Sequence, residues 1–250
     1  MAAPEVLFDL ALTLHPEHDV SAQDRAAILA GRLGYREVWL PVGEGYGWPD
    51  PDRVDALARA AGGGLVGLVV SGAAAEVAAA LRSGQGRGAL LELESASNDL
   101  VDAVGGEAAW RERVRLPRFD PAAAGTVVVG SSRAEVLDGV RAAVGSRSAA
   151  GVSHDRHRVV AALPVSIGRT FSEADARARR DPRLSGDRDP RRGGLFGTHE
   201  QAQSQVLDLA AAGVDLVRVT VADEVDVADL LAQVRSLVVG ATPVLHARRT

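Results

Sequence analysis

Residues 196–219 read FGTHEQAQSQVLDLAAAGVDLVRV, and this stretch decides the fold. Thr198 followed three residues later by Gln201 has the spacing of a capping box, in which a hydroxyl and an amide satisfy two of the orphan N–H groups that open a helix. The alanine-rich segment behind it predicts a helix, and the run 214–221 returns the chain to a strand. A capped helix that feeds a β-branched strand is one turn of a βα rhythm, and the rhythm repeats outward from here. Strand-like runs fall at 6–14, 37–41, 65–71, 89–94, 126–130 and 158–167, each followed by a stretch of helical period. With 214–221 they make seven strands. A weaker run at 114–119 predicts an eighth, where Pro117 points to an edge strand or a loop because proline cannot donate to a sheet ladder.

Helix starts recur in the same way. Ser21 precedes Asp24 by three residues, Ser132 precedes Glu135 and Thr170 precedes Glu173, while Asp50-Pro51 sets proline where a missing N–H costs nothing. In the last helix Leu230, Leu231, Val234, Leu237 and Val238 fall on one face. Two stretches break the rhythm. Residues 181–197, DPRLSGDRDPRRGGLFG, and the shorter 145–155 predict surface loops. No linker divides the chain, so 1–250 reads as a single α/β domain: a TIM-like (β/α) barrel of seven or eight strands with a shortened middle region.

Composition removes several chemistries. The 250 residues contain no cysteine, and all 28 basic residues are arginine. Schiff-base, pyridoxal-phosphate and Walker-type phosphate chemistry need a lysine amine; thiol catalysis, disulfides and thiolate metal centres need cysteine. Against 33 acids the formal net charge is −5, and the arginines are interleaved with those acids, which argues against a nucleic-acid partner. No apolar run reaches membrane-spanning length and no basic leader precedes the first one. The expectation is a cytoplasmic protein with a small-molecule substrate, no membrane and no metal.

The residues AAILAGRLGYREVWLPV at 26–42, VSIGRTFSEADARAR at 165–179 and the opening stretch at 196–219 together resemble the bacterial luciferase-like family of flavin- and deazaflavin-dependent oxidoreductases and monooxygenases. Gly197, Thr198, Gly213, Val214 and Asp215 reproduce the family's order of Gly-Thr, helix and Ala-Gly-Val-Asp turn before a late strand. The resemblance covers about half of the chain. It implies a barrel that uses FMN or a deazaflavin coenzyme, working as a homodimer or as a heteromer with a longer member. This chain departs from the family after its second strand: relatives that use deazaflavin often carry an acid and a histidine there, whereas Trp39-Leu40-Pro41-Val42-Gly43 stands here. The alternative is therefore a barrel without coenzyme that serves as a partner subunit or a small-molecule-binding protein.

In a parallel barrel the working residues sit at the C-terminal ends of the strands. His15 directly follows the first strand and titrates near neutrality, so it can give or take a proton; the other reading makes His15 and His18 polar loop residues. In the loop GEGYGWPDP at 43–51, Glu44 is placed to orient a ligand while Tyr46 and Trp48 stack on it, unless these aromatics fold back on the rim. Glu92 and Glu94 alternate with leucines and so share one side of a strand. Glu94, nearer the end, is the acid, base or anchor, the alternative being pairing with an arginine such as Arg87. Ser71, Ser95, Ser131, Ser132 and Arg169 complete the strand ends as coenzyme-binding residues. Ser131 and Ser132 suit a phosphate at a helix N-terminus, as does the run Arg191-Arg192-Gly193-Gly194, and Arg218 and Thr220 lie near the last strand's end.

Overall fold

The computed structural model describes residues 8–15, 18–43, 45–94, 97–105, 113–181, 184–221 and 227–249. The strands are β1 (Asp9–Thr13), β2 (Glu37–Val42), β3 (Leu65–Val70), β4 (Leu90–Leu93), β5 (Val114–Leu116), β6 (Gly125–Val128), β7 (Arg158–Gly168), β8 (Leu195–Thr198) and β9 (Leu216–Val221). They hydrogen-bond in the order β6-β5-β4-β3-β2-β1-β9-β7-β8, and β6 also pairs with β7. Eight strands thus form a ring, with β8 as an addition. This is the TIM-like α/β barrel that the βα rhythm predicts.

Helices alternate with the strands: α1 (Val20–Arg32), α2 (Pro51–Ala60), α3 (Ala74–Arg82), α4 (Asn98–Gly105), α5 (Arg133–Ala149), α6 (Phe171–Arg180), α7 (Pro190–Gly193), α8 (His199–Ala212) and α9 (Val227–Arg249). Among the described residues no helix is long and apolar enough to cross a membrane. The apolar face predicted for α9 is present, with Leu230, Leu231, Val234, Leu237 and Val238 all fully buried, each contributing about 2 kcal/mol of burial.

Four readings of the sequence are corrected. The segment at 114–119 is neither edge nor loop: β5 pairs with β4 and with β6, and Pro117 lies just beyond the last paired residue, where its absent N–H breaks no ladder bond. The start of α1 is capped by Asp19, whose carboxylate accepts from the Ala22 N–H at 2.7 Å; Ser21 lies inside the helix and accepts from Arg25. The loop predicted from Gly145 begins later, because α5 continues to Ala149. The stretch 181–197 contains a 3-10 turn (Gly186–Arg188), α7 and most of β8. Its charges serve as local fasteners there, with the Asp189 carboxylate accepting from the Arg191 N–H at 2.9 Å and Arg191 reaching Asp175 at 3.0 Å.

Two compact units are distinguished: Ala11–Val127 with Gly145–Val159, and Met1–Leu10 with Val128–Val144 and Val160–Thr250. In the first, the registers align side chains in rows. Ala11, Glu37 and Leu65 form one row; Thr13, Trp39, Gly67 and Leu90 the next; Pro41, Val69, Glu92, Arg115 and Gly125 the third. Registered residues of parallel strands share a face, and here it is the concave one, since Arg115 on β5 crosses two intervening strands to bond Glu37 on β2. Gly67 is required in its row, because a Cβ there would stand 2.3 Å from the Trp39 ring.

In the second unit β7 has a change of neighbour. It pairs with β9 from Val160 to Val165 and with β8 from Val165 to Gly168. Two glutamines of α8 satisfy the backbone of β8. Gln205 accepts from the Phe196 N–H at 2.9 Å and donates to its carbonyl at 3.1 Å, and Gln201 accepts from the Thr198 N–H at 2.9 Å. Their amides do for this short strand what a neighbouring strand would do.

Candidate active site

Below the strand ends of the first unit lies a sealed polar floor that the sequence reading missed. Glu37 is 1 % exposed and Arg115 3 %, and they meet through two hydrogen bonds, Nη1 to Oε2 at 2.7 Å and Nη2 to Oε1 at 2.6 Å. The Trp39 indole N–H donates to Glu37 Oε2 at 2.8 Å, and the Arg115 guanidinium stands 5.0 Å from the centre of the indole ring. Burial pushes the Glu37 carboxyl up, but the Arg115 charge and hydrogen bonds, the Trp39 donor and the more distant Arg158 together hold it below its ordinary value. Because Glu37 opens β2, this cluster belongs to the N-terminal half of the strands, where a barrel carries stability rather than chemistry. Two signals in the sequence could have found it: a carboxylate two residues before a tryptophan in EVWLPV, and a lone arginine in a short apolar run, VRLP.

Above that floor, polar side chains climb the inner rows towards the C-terminal ends of β1, β3 and β4. Thr13 faces inward beside Trp39, and its buried Oγ1 has no hydrogen-bond partner among the described residues. Glu92 is inward and 3 % exposed, on a side that its alternation with leucine leaves open. Glu94 follows β4 and is exposed, with its N–H donating to the Val70 carbonyl at 3.1 Å. Ser71 follows β3 and uses its hydroxyl on the Val42 carbonyl at 3.2 Å. Gly43 brings the end of β2 against it. At φ +101° a Cβ on Gly43 would stand 1.9 Å from the Ser71 carbonyl oxygen, so only glycine fits.

His15 lies two residues beyond Thr13. Its ring stacks on that of His18, with centroids 4.2 Å apart and planes 13° from parallel. A relay holds the His15 backbone: Gln23 donates to the His15 carbonyl at 3.1 Å and accepts from Arg53 at 2.8 Å, and Arg53 bonds Asp24 at 2.6 Å. Tyr46 is bridged to Gly43 by two backbone hydrogen bonds and is 38 % exposed. Trp48 instead lies on Gly86, next to Leu68, on the helix-facing side of β3. The predicted residues Glu44 and Ser95 lie outside the described residues.

The second unit holds the remaining predicted residues. Ser131 donates from both its N–H (2.9 Å) and its hydroxyl (2.8 Å) to Glu135 Oε2, and Ser132 Oγ accepts from the Glu135 N–H at 3.3 Å. The Ser131 bonds hold the Glu135 carboxyl below its usual range. A carboxylate of the chain itself thus takes the donors that a phosphate would use. Gly193 approaches the same corner, where a Cβ would stand 2.7 Å from the Gly130 carbonyl oxygen; the two phosphate-type motifs of the sequence therefore meet in space. At the end of β7 the Arg169 N–H donates to Glu173 Oε2 at 2.8 Å and Thr170 caps α6 at 3.2 Å. The Arg169 side chain is exposed. Arg218 is 6 % exposed on β9, and Thr220 is half-buried. Among the described residues no cluster of three or more histidine or acidic side chains could hold a metal ion.

No protein-family model matches the sequence, and no curated protein does. Solved structures do match over nearly the whole chain. The coenzyme F420-dependent tetrahydromethanopterin reductase from Methanopyrus kandleri superposes with a TM-score of 0.62 at 12% identity, over 93% of this chain and 99% of that one. Monooxygenase RslO1 from Streptomyces bottropensis gives 0.67 at 14% identity, over 93% and 99%. The oxygenating constituent of 3,6-diketocamphane monooxygenase from Pseudomonas putida, in complex with FMN, gives 0.58 at 12% identity, over 93% and 98%. At these identities the likeness is one of fold.

Proposed function

We propose that this chain, whose barrel is shared with flavin- and deazaflavin-dependent enzymes of the luciferase-like kind, is an oxidoreductase that acts on a small organic substrate with FMN or coenzyme F420. The observation that carries the reading is the inner row of polar groups above the sealed floor, headed by the buried Thr13 hydroxyl, which has no hydrogen-bond partner among the described residues. A buried hydroxyl without a partner is costly unless something completes it. The polar edge of a flavin or deazaflavin ring, which carries carbonyl oxygens and ring nitrogens, fits that need.

When bound, the coenzyme supplies the hydride or oxygen chemistry that these side chains lack. The chain's own residues do the rest. Thr13 holds a polar edge through Oγ1. His15 holds or moves a proton at a ring nitrogen, with its backbone carbonyl held by the Gln23–Arg53 relay and its ring stacked on His18. Glu94 orients substrate with its carboxylate, and Tyr46 shields it from water. Trp39 and the Glu37–Arg115 pair keep the floor rigid and dry. In the second unit, taken by itself, Arg169 offers an exposed guanidinium to an anion such as a phosphate monoester, while Glu135 closes the Ser131–Ser132 corner to one.

The test is a comparison of the wild-type protein with Thr13→Val and His15→Ala, using reduced coenzyme and a panel of small aldehydes, ketones and alcohols. Thr13→Val should weaken coenzyme binding about tenfold, the loss of one buried hydrogen bond. His15→Ala should lower turnover and leave binding in place. Unchanged binding and turnover in both variants would refute the assignment.

A further inference from the structure

Arg53 joins the first turns of two helices, and through one of them it reaches His15. It lies in the first turn of α2, where its N–H donates to the Asp50 cap at 2.7 Å. Its guanidinium spans two consecutive residues of α1, with Nη2 donating to Gln23 Oε1 at 2.8 Å and Nη1 to Asp24 Oδ1 at 2.6 Å. Gln23 is 6 % exposed and has both ends of its amide in use, since Nε2 donates to the His15 carbonyl at 3.1 Å. The same carbonyl accepts from the His18 N–H at 3.3 Å, and the two imidazoles are stacked.

These contacts have a direction. A guanidinium only donates, so it accepts one orientation of the Gln23 amide, with the oxygen towards Arg53 and the nitrogen towards His15. The flipped amide would set two donors face to face at Arg53 and two carbonyl oxygens face to face at His15. A lysine ammonium is a point charge, whereas the guanidinium fork meets Gln23 and Asp24 together. We infer that Arg53 is a positioning residue: by fixing the sense of the Gln23 amide it holds the His15 backbone, and with it the stack on His18, where His15 handles a proton. The inference rests on the function proposed above, which gives His15 that proton role. All of these residues belong to the first unit, as does the buried Thr13 hydroxyl two residues before His15.

The experiment breaks the relay at two different links. Gln23→Glu keeps the bond to Arg53 and sets a carboxylate oxygen, which cannot donate, against the His15 carbonyl. Arg53→Met removes the group that fixes the amide. Circular dichroism checks the fold of each. The first readout is the ring-proton NMR shifts of His15 and His18, assigned by the resonances lost in His15→Ala and His18→Gln. In the wild-type background, substituting either ring should move the resonances of the other, the mark of a stack; in the Gln23→Glu and Arg53→Met backgrounds that mutual shift should disappear. The second readout is turnover of the aldehyde, ketone and alcohol panel with reduced coenzyme. Both variants should lower kcat about tenfold with coenzyme affinity unchanged, and His15→Ala should add nothing to the loss in Gln23→Glu. Absence of the mutual shift in the wild-type background, its persistence in either variant, an undiminished kcat, or losses that multiply in the combined variant would each overturn the positioning role. Should Arg53→Met fail to fold, Gln23→Glu decides alone. Equal turnover in wild type and His15→Ala would instead refute the proton role of His15, and the inference with it.

Discussion

Replacing Arg115 by methionine strips the Glu37 carboxylate of two charge-assisted hydrogen bonds at 2.6 and 2.7 Å and leaves it 1 % exposed beside Trp39. Breaking a buried pair from one side costs about 3–5 kcal/mol, because the remaining charge has no water to return to. Glu37→Met should cost a similar amount by stranding the guanidinium over the indole. The double variant removes both charges and fills the space with apolar atoms, and such replacements are often close to neutral. The two losses should therefore fall short of adding by about 3 kcal/mol or more, far beyond the few tenths expected of independent sites. Urea unfolding followed by circular dichroism measures all four proteins. A domain of this kind has about 5–15 kcal/mol to lose, so either single variant should be visibly destabilised.

The same cycle has a pH signature. The folded-state carboxyl of Glu37 lies below its ordinary value, so the pair's stabilisation is present above the unfolded carboxyl's value of about 4.3 and fades as the pH falls through the folded one. The double variant should lose that part of the acid limb. Additive single losses, or a single loss under about 1 kcal/mol, would refute the view that Glu37 and Arg115 form one buried unit.

Other substitutions probe the strand ends. Gly43→Ala forces a φ of +101° on alanine and a Cβ into the Ser71 carbonyl; it should cost at least about 2 kcal/mol, read as a lowered urea midpoint. Gln205→Ala leaves the Phe196 N–H and carbonyl without their amide, a loss of about 2–4 kcal/mol, and hydrogen exchange should show protection falling first across β8. His157 is fully buried, with ring contacts to Thr126 at 2.9 Å and the Ala123 carbonyl at 3.1 Å. Its replacement by alanine should destabilise by about 3 kcal/mol, and a change under 1 kcal/mol would show that this ring is replaceable.

The sequence reads well where one residue's neighbours lie close along the chain. Caps at Asp50, Ser132, Thr170 and Thr198, the apolar face of α9 and most strand cores are local, and all are present in the structure. β8 was not legible because its four residues carry no alternation and its second edge is completed by glutamines from α8, a relation that only three-dimensional placement reveals. The floor escaped for the same reason. Glu37 and Arg115 are 78 residues apart, and nothing in either run points to the other. His15, Ser71 and Glu94 stand just beyond strand ends, where the rule that strand ends carry chemistry puts candidates, whereas Thr13 looked like one more residue of an apolar strand. Ser131 and Ser132 were read as an open anion corner because Glu135 looked like a capping acid only; its carboxylate also takes Ser131's donors.

The central claim is that the inner row above the Glu37–Arg115 floor receives a flavin or deazaflavin. It is tested most directly by equilibrium titration of the purified wild-type chain with FMN and with coenzyme F420, each oxidised and reduced, followed by absorbance and tryptophan fluorescence. The account predicts saturable binding of one of them at micromolar concentration, weakened about tenfold by Thr13→Val. No saturable binding of either coenzyme in either redox state would contradict it.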